Sequence, residues 1–119
     1  DVGKVVHPLF AAGQVEGGVT QGLGWALLEN AVWSDGLMIN ANMTDYTIPT
    51  AADAAPVHVV FLEYPHQRSP HGAKGLGELP AEGPAPAVVN ALRHALGIHF
   101  DRVPLTPEII LPAWEGRTS

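Results

Sequence analysis

Gly72-Ala-Lys-Gly-Leu-Gly-Glu78 sets three glycines, one lysine and one glutamate within a short loop, and Leu79-Pro80 follows at once. Glycine lets a backbone turn sharply or lie against a ligand. The loop therefore exposes amides and ends in a single carboxylate. The chemistry on offer is that of a general base: a Glu in apolar surroundings has its charged form disfavoured and its pKa raised, which suits proton abstraction near neutral pH. A lone loop Glu is more often structural, and on these residues alone both readings stand. Other chemistries are poorly served. GxxxxGK[ST] is absent, because Leu76 follows Gly75 and no Ser or Thr follows Lys74 to hold Mg²⁺. Nor is there a GxGxxG turn running from a strand directly into a helix. The chain has no Cys, hence no thiolate nucleophile, disulfide, thiolate metal site or iron–sulfur ligation of its own. Ser34, Ser69 and Ser119 lie in turn or tail surroundings and not in a nucleophile elbow. His66 and His71 share a loop with Pro65 and Pro70, but no third ligand is spaced to join them, so solvated or hydrogen-bonding histidines are expected there and no metal ligand is assigned.

A loop of this kind needs a scaffold, and Leu9 to Asn30 is the best candidate. Its pattern is helical, with Pro8 suited to the first position. Glycines occupy 13, 17, 18, 22 and 24, each costing about 1 kcal/mol of helix propensity relative to Ala. A buried helix that lets another backbone or a flat cofactor come close would tolerate them. Gly13, Gly17 and Gly24 fall on one bare stripe; Gln14, Gly18, Gln21 and Trp25 fall on the adjacent one; Val15, Val19, Leu23, Ala26 and Leu27 lie behind. Buried glutamines need hydrogen-bonding partners. They either cap nearby backbone in helix packing, or one of them faces a ligand.

The remaining chain reads as a β-α-β-β-β-α-α order, an α+β fold with a mixed or antiparallel sheet, a buried Gly-rich helix and a second packing helix. Val2, Val5 and Val6 suggest an extended start. Asp35-Gly36 is a hairpin turn between Ala31–Trp33 and Leu37–Asn40. Asn42 to Ile48 is strand-like, and Asp53 is a turn or capping acid. Pro56 to Tyr64 is the best strand, apolar on both faces and predicted to lie inside a sheet. Pro86 to Leu96 is the second helix, with Gly97 as its C-cap. Thr106-Pro107-Glu108 opens a short last helix from which Ile109, Ile110 and Trp114 pack inward, before a fraying tail from Glu115 to Ser119.

Composition restricts the surroundings. The 119 residues suffice for one domain. They are 46% hydrophobic and only 15% charged, against roughly 25% charged in ordinary domains, which implies a piece of a larger assembly with much of its outside covered. The net charge of -6 argues against nucleic acid and anionic membranes. No signal peptide or apolar run of membrane-spanning length is visible, and a cytoplasmic location is expected. The first residue is Asp, so a processed product or a fragment is expected.

Six blocks in order resemble one family. They are Asp1-Val-Gly-Lys4, Gly13-Gln-Val-Glu-Gly-Gly18, Gln21-Gly-Leu-Gly24, Asp45-Tyr-Thr-Ile-Pro-Thr50, Gly72-Ala-Lys-Gly-Leu-Gly-Glu78 and Pro84-Ala-Pro-Ala-Val-Val-Asn-Ala-Leu92. Together they are similar to the C-terminal part of the molybdopterin-binding large subunit of the xanthine dehydrogenase/aldehyde oxidase family, over nearly the whole chain. Any one block is weak; six in register are specific. The resemblance implies a molybdenum ion held by a pterin dithiolene, and a hydroxylase that inserts a water-derived oxygen at an electron-poor C–H carbon of an aldehyde or N-heterocycle. It implies that Glu78 matches the catalytic base, that Gln14 matches a glutamine near molybdenum and pterin, and that Lys74, Gly75, Leu76 and Gly77 match the loop alongside the cofactor. It places iron–sulfur clusters and FAD on partner domains or subunits, and the other pterin-binding and substrate-pocket segments upstream. Residues 1–119 would then be a single C-terminal portion of the cofactor-binding domain, as a fragment or a split subunit inactive alone. The competing expectations are a non-catalytic assembly module that kept the fold and a generic anion-binding domain.

Overall fold

Pro8 stands at the start of helix α1 (Pro8–Leu27), where its missing N–H costs nothing. The computed structural model describes residues 1–118; Ser119, part of the predicted fraying tail, lies outside the described residues. His7 caps α1, its Nδ1 accepting from the Phe10 amide at 3.3 Å while the two rings stack with centroids 4.2 Å apart. The helix stops at Leu27, short of the expected Asn30, and the amides of Leu28 and Glu29 both turn back onto the Gly24 carbonyl. It is buried only toward its C-terminal end, at Gly22, Gly24 and Ala26, whereas Leu9 and Phe10 are 74% and 72% exposed. The Gly-rich helix is thus half covered by this chain.

The predicted hairpin forms. Strands β1 (Trp33–Ser34) and β2 (Leu37–Met38) pair antiparallel, Trp33 against Met38 and Ser34 against Leu37. Asp35 and Gly36 both take positive φ, 49° and 79°, as a tight two-residue hairpin turn requires. The other expected strands do not form a sheet. Residues 1–7 are extended, but among the described residues their strand-like pairing is limited to one antiparallel bridge, Gly3 with Ala73. Asn42 to Ile48 is a turn: the Tyr46 amide donates to the Asn42 carbonyl at 2.8 Å, and the Asn42 side chain takes the Thr44 amide and donates to Asp45. These local side-chain bonds outcompete a ladder. Pro56 to Tyr64 keeps the predicted alternation, with Val57, Val59 and Phe61 half-buried and Val60 81% exposed, yet among the described residues no neighbouring strand pairs with it. The observed order is therefore helix-rich with one two-stranded antiparallel sheet among the described residues, and not the predicted β-α-β-β-β-α-α order with a larger sheet.

After a 3₁₀ turn at Pro70–Gly72 come three more helices: α2 (Leu79–Glu82), α3 (Pro84–Leu96) and α4 (Pro107–Thr118). Helix α3 starts two residues before the predicted Pro86 and ends as expected, with Gly97 left-handed at φ 64° and its amide on the Arg93 carbonyl. Helix α4 is longer than expected, continuing past Pro112 through the residues predicted to fray. Ile109 and Ile110 are half-buried, but Trp114 is 42% exposed instead of packed inward, because no described residue covers it fully. The Thr106 carbonyl accepts from the Ile109 and Ile110 amides, and the Thr106 hydroxyl bonds the Glu108 carboxyl and holds it below its ordinary pKa. Asp53 is the expected turn acid: it accepts from the Thr50 hydroxyl at 2.6 Å and the Thr50 amide at 2.8 Å, bonds that lower its pKa.

Two ties join these parts. Ala26 and Leu105 are fully buried against each other's backbone, the Leu105 amide donating to the Ala26 carbonyl at 2.6 Å. The Tyr46 phenol donates to Glu29 Oε2 at 2.7 Å and fastens the Asp45–Pro49 segment to the end of α1; that hydrogen bond, desolvation and the Glu29 charge raise the Tyr46 pKa. The rest of the apolar surface is open. Leu37, Met43 and Val60 are more than 70% exposed, and the buried hydrophobic set is small: Val2, Ala26, Ala81, Phe100 and Leu105.

Candidate functional site

The site is built where α2 crosses α1. A Cβ on Gly18 would stand 2.7 Å from the Pro80 side chain, and one on Gly22 would stand 2.9 Å from both the Ala81 carbonyl oxygen and Pro84. Only the bare glycine backbone lets α2 and the start of α3 come that close. This corrects the stripe read from spacing: Gly18 and Gly22 carry the helix contact, while Gly13 and Gly17 face open space. Glu78 sits at the N-cap position of α2, so the glycine contact fixes its place over α1.

The loop before it is held from both sides. The Lys74 amide donates to the Val2 carbonyl at 2.9 Å and the Lys4 amide to the Gly72 carbonyl at 3.0 Å. The Lys74 ammonium pairs with Asp1. Lys74 thus ties the loop to the opening segment, and both its donors are engaged within the chain. On the other side, Gln14 Nε2 donates to the Gly77 carbonyl at 2.7 Å, one residue before Glu78. Between these ties the amides of Gly75, Leu76, Gly77 and Glu78 have no hydrogen-bond partner among the described residues. Neither has the Glu78 carboxylate or the Gln14 carbonyl oxygen.

A cleft of about 470 Å³ opens between α1 and α2, lined on one side by Gln14, Gln21 and Trp25 and on the other by Gly77, Glu78 and Glu82. All four members of the predicted amide stripe, Gln14, Gly18, Gln21 and Trp25, line it. A second cleft of about 430 Å³ lies on the far side of the loop, against Val6, Phe10, Lys74 and Leu76, and Gln14 and Gly77 border both. Glu82 is the residue that sequence reading passed over. The signal was present: Leu79-Pro80 starts a helix at Glu78, which puts position 82 one turn on and on the same face. Glu78 is exposed, so apolar surroundings for it are not supplied by this chain. Among the described residues no three His, Asp or Glu side chains converge as metal ligands, and His66 instead accepts from the Arg68 amide through Nδ1. A planar group carrying its own metal does fit what is present. It needs a flat surface and polar edges, and the chain offers the open backbone at Gly13 and Gly17, four free amides and the Gln14 carbonyl oxygen.

Known proteins are similar to this chain. A family of molybdopterin cofactor-binding domains matches residues 1–55. The xanthine dehydrogenase molybdenum-binding subunit of Escherichia coli O157:H7 is 39% identical over 110 residues, covering 91% of this chain and 15% of that protein. The crystal structure of quinoline 2-oxidoreductase from Pseudomonas putida 86 superposes with a TM-score of 0.88 at 34% identity, over 97% of this chain and 15% of that one. The chain belongs to the xanthine dehydrogenase/aldehyde oxidoreductase family. It corresponds to a portion of the molybdenum-binding subunit, the part of these oxidoreductases that binds molybdopterin. A further relative, subunit gamma of the 6-hydroxypseudooxynicotine dehydrogenase complex of Paenarthrobacter nicotinovorans, is 36% identical over 98% of this chain and 15% of its own length. The chain spans about 15% of the length of each of these relatives.

Proposed function

We propose that this chain supplies the catalytic base and one wall of the cofactor site of a molybdenum hydroxylase acting on an aldehyde or N-heterocycle. The observation that carries the proposal is the Gln14–Gly77 hydrogen bond, which holds the loop so that Glu78 stands free at the edge of a cleft walled by α1. The reaction class is R–H + H₂O → R–OH + 2H⁺ + 2e⁻, with a C–H bond broken and a C–O bond formed. The molybdenum–pterin group, when bound, supplies the two-electron acceptor. Glu78 accepts a proton from the water-derived oxygen as it becomes a nucleophile. Gly75, Leu76 and Gly77 would offer their amides to the cofactor's polar edge, and Lys74 anchors that loop through Asp1. Gln14 spends its NH₂ on Gly77, which leaves its carbonyl oxygen as the group that would meet the cofactor. Iron–sulfur and FAD centres on partner domains or subunits would take up the electrons, in a cytoplasmic complex. Residues 1–119 act as one portion of the cofactor-binding domain, and their exposed apolar surface is covered by the rest of the subunit.

The test is made on the purified complex containing this chain. Near-stoichiometric molybdenum and pterin are expected, and oxygen from ¹⁸O-labelled water should appear in the product. A complex that oxidises its substrate without molybdenum would sink the proposal. The role of Gln14 is tested separately. Gln14→Glu keeps the side-chain size but loses the donor to Gly77, a bond of order 1–1.5 kcal/mol. Turnover is expected to fall about tenfold, the equivalent of that energy, with KM changed less than kcat. An unchanged kcat would remove Gln14 from the positioning of Glu78.

A further inference from the structure

We propose that Asp1 is a positioning residue for the reaction. Its one carboxylate fastens the Gly-rich loop to the opening segment and to the end of the extended residues 56–64, and so sets where the free amides and Glu78 begin. The proposal rests on the proposed function and adds a residue to the same site. Asp1 Oδ1 accepts from the Gly3 amide at 2.9 Å and from the Tyr64 amide at 3.3 Å, and Oδ2 takes the Lys74 ammonium. An ionised carboxylate accepts at both oxygens and donates nothing, which suits three donors arriving from three segments. The Tyr64 amide is the one backbone group of residues 57–64 with a hydrogen-bond partner among the described residues. Glu63 Oε1 accepts from the Val5 amide at 3.0 Å, so the opening segment lies between residues 56–64 and the loop. The backbone around the junction is already closed. The Lys4 and His66 amides share the Gly72 carbonyl at 3.0 Å each, the Lys74 amide is on Val2, and a Cβ on Gly3, at φ 65°, would overlap the Gly72 oxygen. Those bonds fix residues 72–74, and the next tie to another segment is Gln14 on Gly77. The Lys74 side chain is therefore the last hold before the free amides. Its direction matters as well as its grip. Drawn to Asp1, Lys74 borders the second cleft and not the cleft of Glu78, which no Lys, Arg or His lines. An ammonium released into that cleft would pair with the carboxylate that has to take up a proton.

The experiment uses the purified complex containing this chain. Asp1→Asn keeps an oxygen for the Gly3 and Tyr64 amides and loses the pair with Lys74. Its kcat is expected to fall about fivefold, the upper scale for an ion pair whose side chains are 33% and 34% exposed, while KM, molybdenum content and thermal midpoint hold. Lys74→Met should show the same fall, and Lys74→Arg should retain most of the rate. Asp1→Asn and Lys74→Met together should cost no more than either alone, because both remove one interaction. Asp1→Ala loses all three bonds and should fall further. Hydrogen exchange at the amides of Gly75, Leu76 and Gly77 reads the loop without turnover and should quicken in Asp1→Asn. Should Asp1→Asn fail to assemble, Lys74→Met tests the same pair and leaves the two amides on Asp1. Quickened exchange in a complex that works without molybdenum would strike the proposed function and leave the Asp1 tie standing. Full kcat in Asp1→Asn or in Lys74→Met overturns the proposal. Losses that multiply in the double variant overturn it too, since the two side chains would then act separately.

Discussion

Glu78→Gln in the assembled complex is expected to lower turnover by about 10³-fold, within the range that general-base catalysis supplies, while molybdenum and pterin content stay at wild-type levels. The two expectations come from different features of the chain. The rate loss follows from replacing the only titratable group on the Gly-rich loop's cleft edge that stands next to the anchored Gly77. The retained cofactor follows from the loop's anchors, none of which uses the Glu78 side chain: the Lys74 amide is on Val2, the Lys74 ammonium on Asp1, and the Gln14 amide on Gly77. The Glu78 carboxylate makes no hydrogen bond among the described residues, so Gln there breaks nothing, and stability should change by no more than about 0.5 kcal/mol, as for an ordinary exposed site. Steady-state rates, metal analysis and a thermal midpoint on the same preparation decide the matter. Near-full activity with bound molybdenum would show that Glu78 is not the base. Loss of molybdenum would make it a cofactor anchor instead.

The parts of this architecture that were legible in the sequence are those whose cause is local. Pro8, Asp35-Gly36, Gly97 and Thr106-Pro107 each fix a helix end or a turn through their own backbone preference, and each holds in the structure. The stripe Gln14, Gly18, Gln21 and Trp25 follows from helical periodicity alone and lines the cleft as spacing requires. What was not legible depends on partners. Pro56 to Tyr64 carries an interior strand's composition, but a strand needs a neighbour to hydrogen-bond with, and the described residues provide none. The inward packing of Trp114 failed for the same reason. Asn42 to Ile48 misled differently, since its β-prone residues are overruled by the short polar side chains of Asn42 and Asp45. Which glycines carry the helix contact was also hidden. All five share one helix, and only the position of Pro80, Ala81 and Pro84 distinguishes Gly18 and Gly22 from Gly13 and Gly17.

That distinction leads to the second large effect. Gly22→Val is expected to lower turnover by about 10²-fold, although residue 22 does not line the cleft, and to cost about 1–3 kcal/mol of stability through overpacking. The new Cβ would begin 2.9 Å from the Ala81 carbonyl oxygen and from the Pro84 ring, and valine adds two methyls beyond it. Neither neighbour is a flexible side chain. Helix α2 must therefore move off α1, and Glu78 at its N-cap moves with it. Gly22→Ala carries the same Cβ without the methyls and should lie between wild type and Gly22→Val in both measurements. If the rate loss acts through Glu78, the two substitutions will not add: in a Glu78→Gln background, Gly22→Val should remove far less than its 10²-fold, because the group it misplaces is already inert. Full additivity would mean that the glycine contact supports some other part of the site. A Gly22→Val complex with wild-type rate and melting point would mean that α2 can lie over α1 without the bare backbone, and the account of how the fold places Glu78 would then be wrong.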